Sequence, residues 1–494
     1  MANVVIIGGG VSGLSAGIYT QMSGHHAIVC EKHTVAGGNL TGWRRGEYFI
    51  DNCIHWLTGT NPAADGHEIW RDLGALDNTT ELYQGETLYT CERDGKQISL
   101  YRDIDRMERE MLALSPRDAR TIRSFFRTVR DIQGHVGVAG KNHDQKLTPW
   151  GKLASLPGIV KHHWMSTGEF AKKLHHPLLK DLVTAFIGEE FSTFALAVIV
   201  ATFCGENGAI PKGSSCAMLE RITERFLSLG GELHLRKEAV SIQHKSGYAK
   251  SVTFADGTVI PADYVVITAD PAVTYRQLLS MKMPKRFARE YARADMHRFS
   301  SYHCALACDD GDVPFEGDFI FEIPEEYGKR LNTNYLVVRE FSHEESFSPK
   351  GKNILQTLTF CDENQARAFI ELRKDKAAYA EKKHKIAEDV IELLTKKFPI
   401  LKGKLKCIDV WTPATYKRYI GSEIGSWMSF IFPPRRIPKK LNNRTHPLKN
   451  VVFATQWLSA PGGLPIAASE GKRAVERILK MIARAKKCPA TAIE

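Results

Sequence analysis

Gly8, Gly10 and Gly13 stand in the pattern G-x-G-x-x-G, and an acid, Glu31, follows about twenty residues on. The first glycine permits a tight turn. The second lets the backbone approach a pyrophosphate, and the third lets a helix pack closely on a sheet. Ser12 opens that helix, whose N-terminus would point its amides at the phosphates. Glu31 falls where an acidic group bonds a ribose hydroxyl. The chemistry of these residues is dinucleotide binding, and on their own they suit a nicotinamide or a flavin cofactor equally.

A second glycine pair narrows the choice. A nicotinamide domain usually runs from the acid into another helix. Here "HTVAGGNLTGW" supplies Gly37, Gly38 and Gly42 instead. Backbone without side chains can lie close against phosphates or ribitol, which suits a longer cofactor, FAD, extended across the domain; the other reading is an ordinary loop.

The elements that must position these groups are read from apolar runs and breakers. Val4 to Ile7 form a continuous apolar strand, as in a sheet buried on both faces. A helix is predicted from Ser12 to Ser23, ended by Gly24, with a strand over Ala27 to Cys30. The chain returns to this pattern twice. Pro211 to Ser215 form a turn, followed by a helix from Cys216 to Leu229 closed by Gly230 and Gly231. Strands follow at Glu232–Leu235, Ala239–Gln243, Tyr248–Phe254 and Tyr264–Thr268, with a hairpin turn at 255–258. Finally, Val451–Ala454 reads as a strand. Pro461, Gly462, Gly463 and Pro465 make a turn, and a helix runs from Ile466. Its N-terminus would stabilise negative charge on a reduced flavin ring. No second G-x-G-x-x-G follows a strand, so a separate NAD(P)H domain is not expected.

Residues 76–205 and 276–440 fall outside that pattern. They read as mixed: two short strands around a "RDGK" turn at 85–103, helices at "DIDRMEREMLAL" and "SPRDARTIRSFFRTVRDI", and a long amphipathic helix from Ala377 to Phe398. Ser115 is expected to cap the second helix, with Pro116 at its first position. The fold class is therefore α/β, a doubly wound Rossmann-type domain built from discontinuous segments (1–75, 206–275 and 441–494) with a mixed α+β substrate domain (76–205 and 276–440).

Composition bounds the partners. The chain has 494 residues, 43% hydrophobic and 25% charged, with a formal charge of +11. A basic balance suits nucleic acid, anionic membrane or acidic ligands, but no zinc-finger spacing or RNA-binding aromatic pattern appears, so nucleic acid is set aside. The ten cysteines are scattered without a C-x-x-C, which argues against a disulfide framework or a metal site and for a reducing compartment. The N-terminus lacks a charged n-region, and the longest apolar run, Phe194 to Cys204, is too short to span a bilayer. A cytoplasmic protein without transmembrane segments is expected. In 146–180, Leu147, Trp150, Leu153, Leu156, Ile159, Val160 and Trp164 interleave with six lysines and one acid, Glu169. Two readings stand: peripheral contact with the inner face of a membrane, or a packed cap helix with a basic solvated face. The prolines, expected to interrupt a long helix, favour the second.

Together "VVIIGGGVSGLSAGIYTQMSG", "EKHTVAGGNLTGW", "IPKGSSCAMLERI", "ADGTVIPADYVVITADP" and "QWLSAPGGLPIAASEGKRA" resemble, in order from end to end, the carotenoid desaturase, carotenoid isomerase and retinol saturase family. These are phytoene desaturase-like enzymes of the amine-oxidase-like flavoprotein group. The resemblance implies FAD, a substrate domain for long hydrophobic molecules, and desaturation, saturation or cis–trans isomerisation of carbon–carbon double bonds. It implies that Gly8, Gly10, Gly13 and Glu31 bind the adenosine diphosphate part and that Gly37 and Gly38 lie along the cofactor. Val240 would meet adenine through its backbone, and Gly463 and Leu464 would sit near the flavin ring. His55 and Trp56 would line the substrate side of the flavin, with His55 the catalytic candidate, or else both are packing residues. Tyr416, Tyr419 and Trp427 would wall the substrate path, or pack as buried aromatics. The chain departs from the family at Asn39, where relatives often carry arginine, and at Cys53, where they often carry glycine. An electron acceptor or donor would be a separate molecule. Two further functions share the fold: an amine oxidase, for which no lysine with an aromatic cage is identifiable, and a flavin-free prenyl or lipid escort, against which the intact glycines and Glu31 argue.

Overall fold

The computed structural model describes residues 1–135, 149–293, 296–445 and 447–487. Five parallel strands form the sheet that carries the glycine turn: β1 (Asn3–Ile7), β2 (His26–Cys30), β3 (Glu232–His234), β4 (Tyr264–Ile267) and β5 (Val451–Phe453), in the order β3-β2-β1-β4-β5. Both faces of β1 are covered. Val4 and Ile6 pack against helices α1 (Val11–Met22), α4 (Ser214–Ser228) and α5 (Leu464–Lys487). Val5 and Ile7 pack toward an antiparallel three-stranded sheet of Ala239–Lys245, Tyr248–Phe254 and Val259–Pro261. This burial explains the unbroken apolar runs of these strands. The strand order reverses at β1, so a crevice opens beyond its C-terminal end, where open α/β sheets bind ligands.

Close helix packing here depends on small residues. A Cβ on Gly17 would come 2.6 Å from the Phe226 ring, and one on Gly471 would come 2.6 Å from the Ser12 carbonyl. The Ser15 hydroxyl donates to the Ala468 carbonyl at 2.7 Å, tying α1 to α5.

The remaining chain builds a seven-stranded sheet. Its order is Lys406–Trp411, Ser300–Asp309, Lys352–Cys361, Tyr335–Glu340, Asp318–Glu322, Thr87–Arg93 and Lys96–Tyr101. One side buries the helix Lys376–Lys397. The other side faces a helical layer that includes α3 (Thr193–Cys204).

Two local expectations are corrected. Ser115 does not cap a helix by accepting from its amides. A 3-10 turn, Pro116–Asp118, intervenes before the helix Ala119–His135, and the Ser115 hydroxyl donates to the Asp118 carboxylate at 2.7 Å. Nor does Pro157 end its helix, although the segment as a whole does break into three helices, the last opened by Pro177. Helix α2 (Pro149–His163) runs through Pro157. Pro157 lies on an exposed face, where water can take the carbonyl its missing N–H leaves unpaired. Lys146 and Leu147 lie outside the described residues.

Candidate functional site

The turn after β1 has no room for side chains. Gly8 sits at φ +103°, and a Cβ there would come 2.2 Å from the Thr268 hydroxyl. A Cβ on Gly13 would fall 1.9 Å from the Gly8 carbonyl oxygen. Gly10 caps α1 without a side-chain acceptor, and no acid occupies the first turn. Gly13 N–H turns back to the Gly10 carbonyl at 2.9 Å, and the helix start, with no side chain over it, is open to an anion. The Glu31 carboxylate is held rigidly beside them. One oxygen accepts the Gly9 N–H at 2.8 Å and the other accepts the His33 N–H at 3.0 Å. The second glycine pair closes the cradle. Gly37 N–H donates to the Gly9 carbonyl at 2.8 Å, and Gly10 and Gly37 form an isolated parallel bridge. Gly37 and Gly38 both adopt positive φ, 110° and 61°, which their lack of Cβ permits. These bare turns, the uncapped helix and the anchored acid fit the adenosine diphosphate half of a dinucleotide.

A cavity of about 780 Å³ extends from this cradle into the body of the protein. Gly8, Gly10, Ser12, Glu31, Gly37 and Gly38 line its polar end. Gly463 and Leu464, at the start of α5, also line it. Gly462 and Gly463 are at φ +84° and +91°. The Gly463 N–H donates to the Gln456 side-chain oxygen at 2.7 Å, and the Gln456 amide donates to the Trp427 carbonyl at 3.0 Å. The Asn39 amide donates to that same carbonyl at 2.9 Å. Asn39, the departure from the usual arginine, thus fixes the backbone at Trp427. The far end is apolar and aromatic, walled by Trp56, Phe186, Phe194, Phe299, Phe360 and Trp427. Trp427 meets Phe299 with centroids 5.4 Å apart, and Trp56 meets Phe186 at 5.7 Å.

The sequence candidates distribute unevenly over this cavity. Gly13 lies behind the turn rather than on the cavity wall, since its work is packing against Gly8. Val240 does not line the cavity and is 44% exposed, while its neighbours Glu238 and Ala239 do line it. Tyr419 lies at the nucleotide end, its ring 5.0 Å from His33, two residues from Glu31. Tyr416 is absent from the wall. It is buried in a separate cluster, and its hydroxyl serves a hydrogen-bond network with Trp411, Asn52 and His303. The chamber residues missed by sequence reading come largely from the 186–199 stretch. Phe194, Ala195, Val198 and Ile199 share one face of α3. The helix is apolar all round because one face packs in the core and the other lines the chamber.

His55 and Trp56 border both this cavity and a polar cleft of about 90 Å³ that also touches Tyr83, Arg102, Arg339 and His343. The turn before them is pinned by Asp51, which is buried. It accepts from the Cys53 and Ser215 N–H groups and the Ser215 hydroxyl, at 3.0, 2.8 and 2.7 Å. Burial pushes the His55 pKa well below its ordinary value, and the charge of Arg339 and the proximity of His303 push it the same way. His55 is thus a neutral imidazole at neutral pH. Beneath the chamber, His303 stacks on Trp411 at 4.6 Å, and its Nε2 meets the Ser301 and Tyr416 hydroxyls at 2.7 and 3.0 Å. The Trp427 indole N–H donates to Ser301 at 2.8 Å, joining the chamber wall to this network. Among the described residues, no cluster of three or more His, Cys, Asp or Glu that could hold a metal ion is found.

A pH dependence follows from the buried imidazoles. Burial holds His303 down to about 3 and His162 to about 4, against 6.5 in an unfolded chain. Between those values the unfolded chain binds more protons than the folded one, so stability is lost as pH falls below 6.5. Thermal unfolding followed by circular dichroism is expected to show Tm falling steadily from pH 7 to 5. The His303→Gln variant, lacking one titrating group, is expected to fall less steeply. Equal slopes would remove His303 from the account.

The comparisons with known proteins agree with this geometry. The family described as flavin containing amine oxidoreductase matches residues 11–307. Prolycopene isomerase 1, chloroplastic, of an Oncidium hybrid cultivar is 23% identical over 461 residues, covering 89% of this chain and 76% of that protein. The 4,4'-diapolycopene oxygenase of Methylomonas sp is 23% identical over 512 residues, covering 96% of this chain and 98% of that protein. Phytoene desaturase (neurosporene-forming) of Rhodobacter capsulatus is 26% identical over 316 residues, 61% of this chain and 58% of that protein. Among solved structures, cyclohexylamine oxidase from Brevibacterium oxydans superposes with a TM-score of 0.59 at 15% identity, covering 98% of this chain and 99% of that one. A Pyrococcus furiosus protein gives 0.60 at 16% identity, covering 97% of each chain. These likenesses place the fold. The glycine cradle and the family match over more than half of the sequence lead to one conclusion: the chain belongs to the flavin-containing amine oxidoreductase family, with FAD as its cofactor.

Proposed function

We propose that this enzyme desaturates, saturates or isomerises carbon–carbon double bonds of a long hydrophobic substrate, such as a carotenoid, retinoid or other isoprenoid lipid. The observation that carries the proposal is the continuity of the cavity. Its polar end is a dinucleotide cradle, and its inner end is an aromatic chamber of a size for apolar chains. The names of the relatives, a prolycopene isomerase, a phytoene desaturase and a diapolycopene oxygenase, support the same reading.

In this reading 1–75, 206–275 and 441–494 form the cofactor domain, and 76–205 and 276–440 the substrate domain. The amides at Gly10 to Ser12 hold the pyrophosphate, Glu31 a ribose hydroxyl, and Gly37 and Gly38 the extended middle of FAD. Glu238 and Ala239, which line the cavity beside Val240, border the adenine, with the Val240 backbone next to them. Gly463, Leu464 and the N-terminus of α5 lie at the ring. When bound, FAD supplies hydride exchange at N5. Trp56, Phe194 and Trp427 position the substrate and exclude water, which strengthens every polar interaction left inside. His55 moves the proton that accompanies making or breaking a double bond. A separate molecule serves as electron acceptor or donor, while isomerisation requires no net electron transfer. No helix among the described residues is long and apolar enough to cross a membrane.

The purified protein is expected to be yellow, with an oxidised-flavin spectrum. Anaerobic mixing with polyenes, retinoids, unsaturated fatty acids and amines should then bleach the flavin or change product isomers, read by absorbance and mass spectrometry, for a polyene or retinoid. A response to amines alone would replace this reading with amine oxidation. Colourless protein that takes up no added FAD would remove both.

A further inference from the structure

Helix α2 (Pro149–His163) presents large apolar side chains to solvent. Trp150, Leu153, Leu156, Val160 and, just beyond the helix, Trp164 are 80, 58, 43, 49 and 56% exposed. They recur every three or four residues and so share one face of the helix. The opposite face, with Ser155 and His162, is buried, and His162 meets the Thr128 hydroxyl at 3.0 Å. A helix this apolar on its outward face is not serving the core of its own chain.

Charge and neighbours say what covers it. The segment 149–163 contains Lys152 and Lys161, both exposed, and no acid. A second exposed apolar residue, Ile437 at 76%, lies in "PPRRIPKK", 433–440, which carries four cations and no acid. That loop is fixed to the end of α2, since the Arg435 N–H donates to the His163 carbonyl at 3.0 Å and Arg435 pairs with Glu169. Tryptophan and leucine on an outward face, flanked by lysine, are the composition of helices that lie in the plane of an anionic bilayer. The patch also adjoins the substrate cavity. The His163 ring meets Phe194 at 6.0 Å and Phe432 at 5.7 Å, and both phenylalanines line the cavity.

We propose that the outer face of α2, with the Ile437 loop, seats the enzyme on an anionic lipid surface, so that the chamber behind Phe194 and Phe432 opens toward the lipid phase. The proposal draws on the hydrophobic-substrate reading for its purpose but not for its test, because vesicle binding is measured without turnover. The FAD-loaded protein is floated with phosphatidylcholine vesicles, with and without phosphatidylglycerol, at low and high salt. Binding is expected only with phosphatidylglycerol and is expected to weaken with salt. Trp150→Ser/Leu153→Ser/Trp164→Ser is expected to lower vesicle affinity at least about tenfold, with the flavin spectrum and Tm unchanged. Lys152→Gln is expected to lower it about fivefold. Failure of the parent to bind, or undiminished binding by the triple variant, overturns the proposal. So does a self-associating parent that those substitutions turn into a monomer without any vesicle binding, which would make the face an interface between copies. A bound enzyme that turns over no polyene leaves this proposal standing and removes the substrate reading instead.

Discussion

Gly13→Val protein is expected to come off purification colourless and less stable than its parent. The glycine cradle leaves no place for the new side chain. Even a single Cβ at position 13 would stand 1.9 Å from the Gly8 carbonyl oxygen and 3.1 Å from its carbonyl carbon. Both are backbone atoms, so no rotamer change relieves the contact. Gly8 cannot step aside cheaply either, since its N–H is held by the Cys30 carbonyl at 2.8 Å and the Thr268 side chain stands against it. The turn must move, and the Gly10–Ser12 amides move with it. Overpacking of this kind costs about 1–3 kcal/mol or more, and each charge-assisted hydrogen bond lost to a phosphate costs about 1.5–3 kcal/mol. FAD affinity should therefore fall at least about a hundredfold. The check is the ratio of flavin to protein absorbance, together with the rise in Tm on adding FAD, which the parent should show and the variant should lack. Gly24→Ala is the control. Gly24 is also at positive φ, +75°, but nothing lies within 4 Å of its Cβ position, so that variant should lose about 1 kcal/mol of stability and stay yellow. A yellow Gly13→Val protein would mean that the cradle is not the cofactor site.

The contrast between these glycines shows what a sequence reveals and what it hides. Strand, turn, helix and acid were legible because each is a local pattern: β1, α1, β2 and Glu31 lie within thirty-one consecutive residues. Hairpins and helix ends, as at Asp94–Gly95 and Gly230, were legible for the same reason. The chamber was not. Phe186 and Phe194 come from one stretch, Phe299 and Phe360 from neighbouring strands or their edges, and Trp427 from a loop. A cavity-lining phenylalanine and a core phenylalanine have the same sequence signal. Tyr416 and Trp427 carry the same sequence signal, yet a buried histidine 113 residues away from Tyr416 claims its hydroxyl. Proline reads as a helix breaker, a rule that fails at Pro157, where the lost hydrogen bond faces water. Asn39 is visible as a departure, but its partner, the Trp427 carbonyl, lies 388 residues on.

The second large effect is expected at His55. His55→Gln should lower turnover of whichever double-bond substrate the flavin assay identifies by about a hundredfold to a thousandfold, while FAD content and Tm stay close to those of the parent. The reasoning starts from position. The ring borders the aromatic chamber on one side and the polar cleft with Arg102, Arg339 and His343 on the other. His55 therefore stands between the chamber and the polar cleft. Electrostatics sets its state. Burial, Arg339 and His303 all depress its pKa, so the imidazole is neutral at pH 7 and can accept a proton. A base of this kind loses activity only when protonated, so the acid limb of the parent's pH–rate profile should lie below pH 6.5. In the glutamine variant that limb should vanish, because the amide does not titrate. A packing role predicts a different set of results: a lowered Tm, a modest loss of turnover and an unchanged pH profile. The profile therefore decides between the two roles even where rates alone do not.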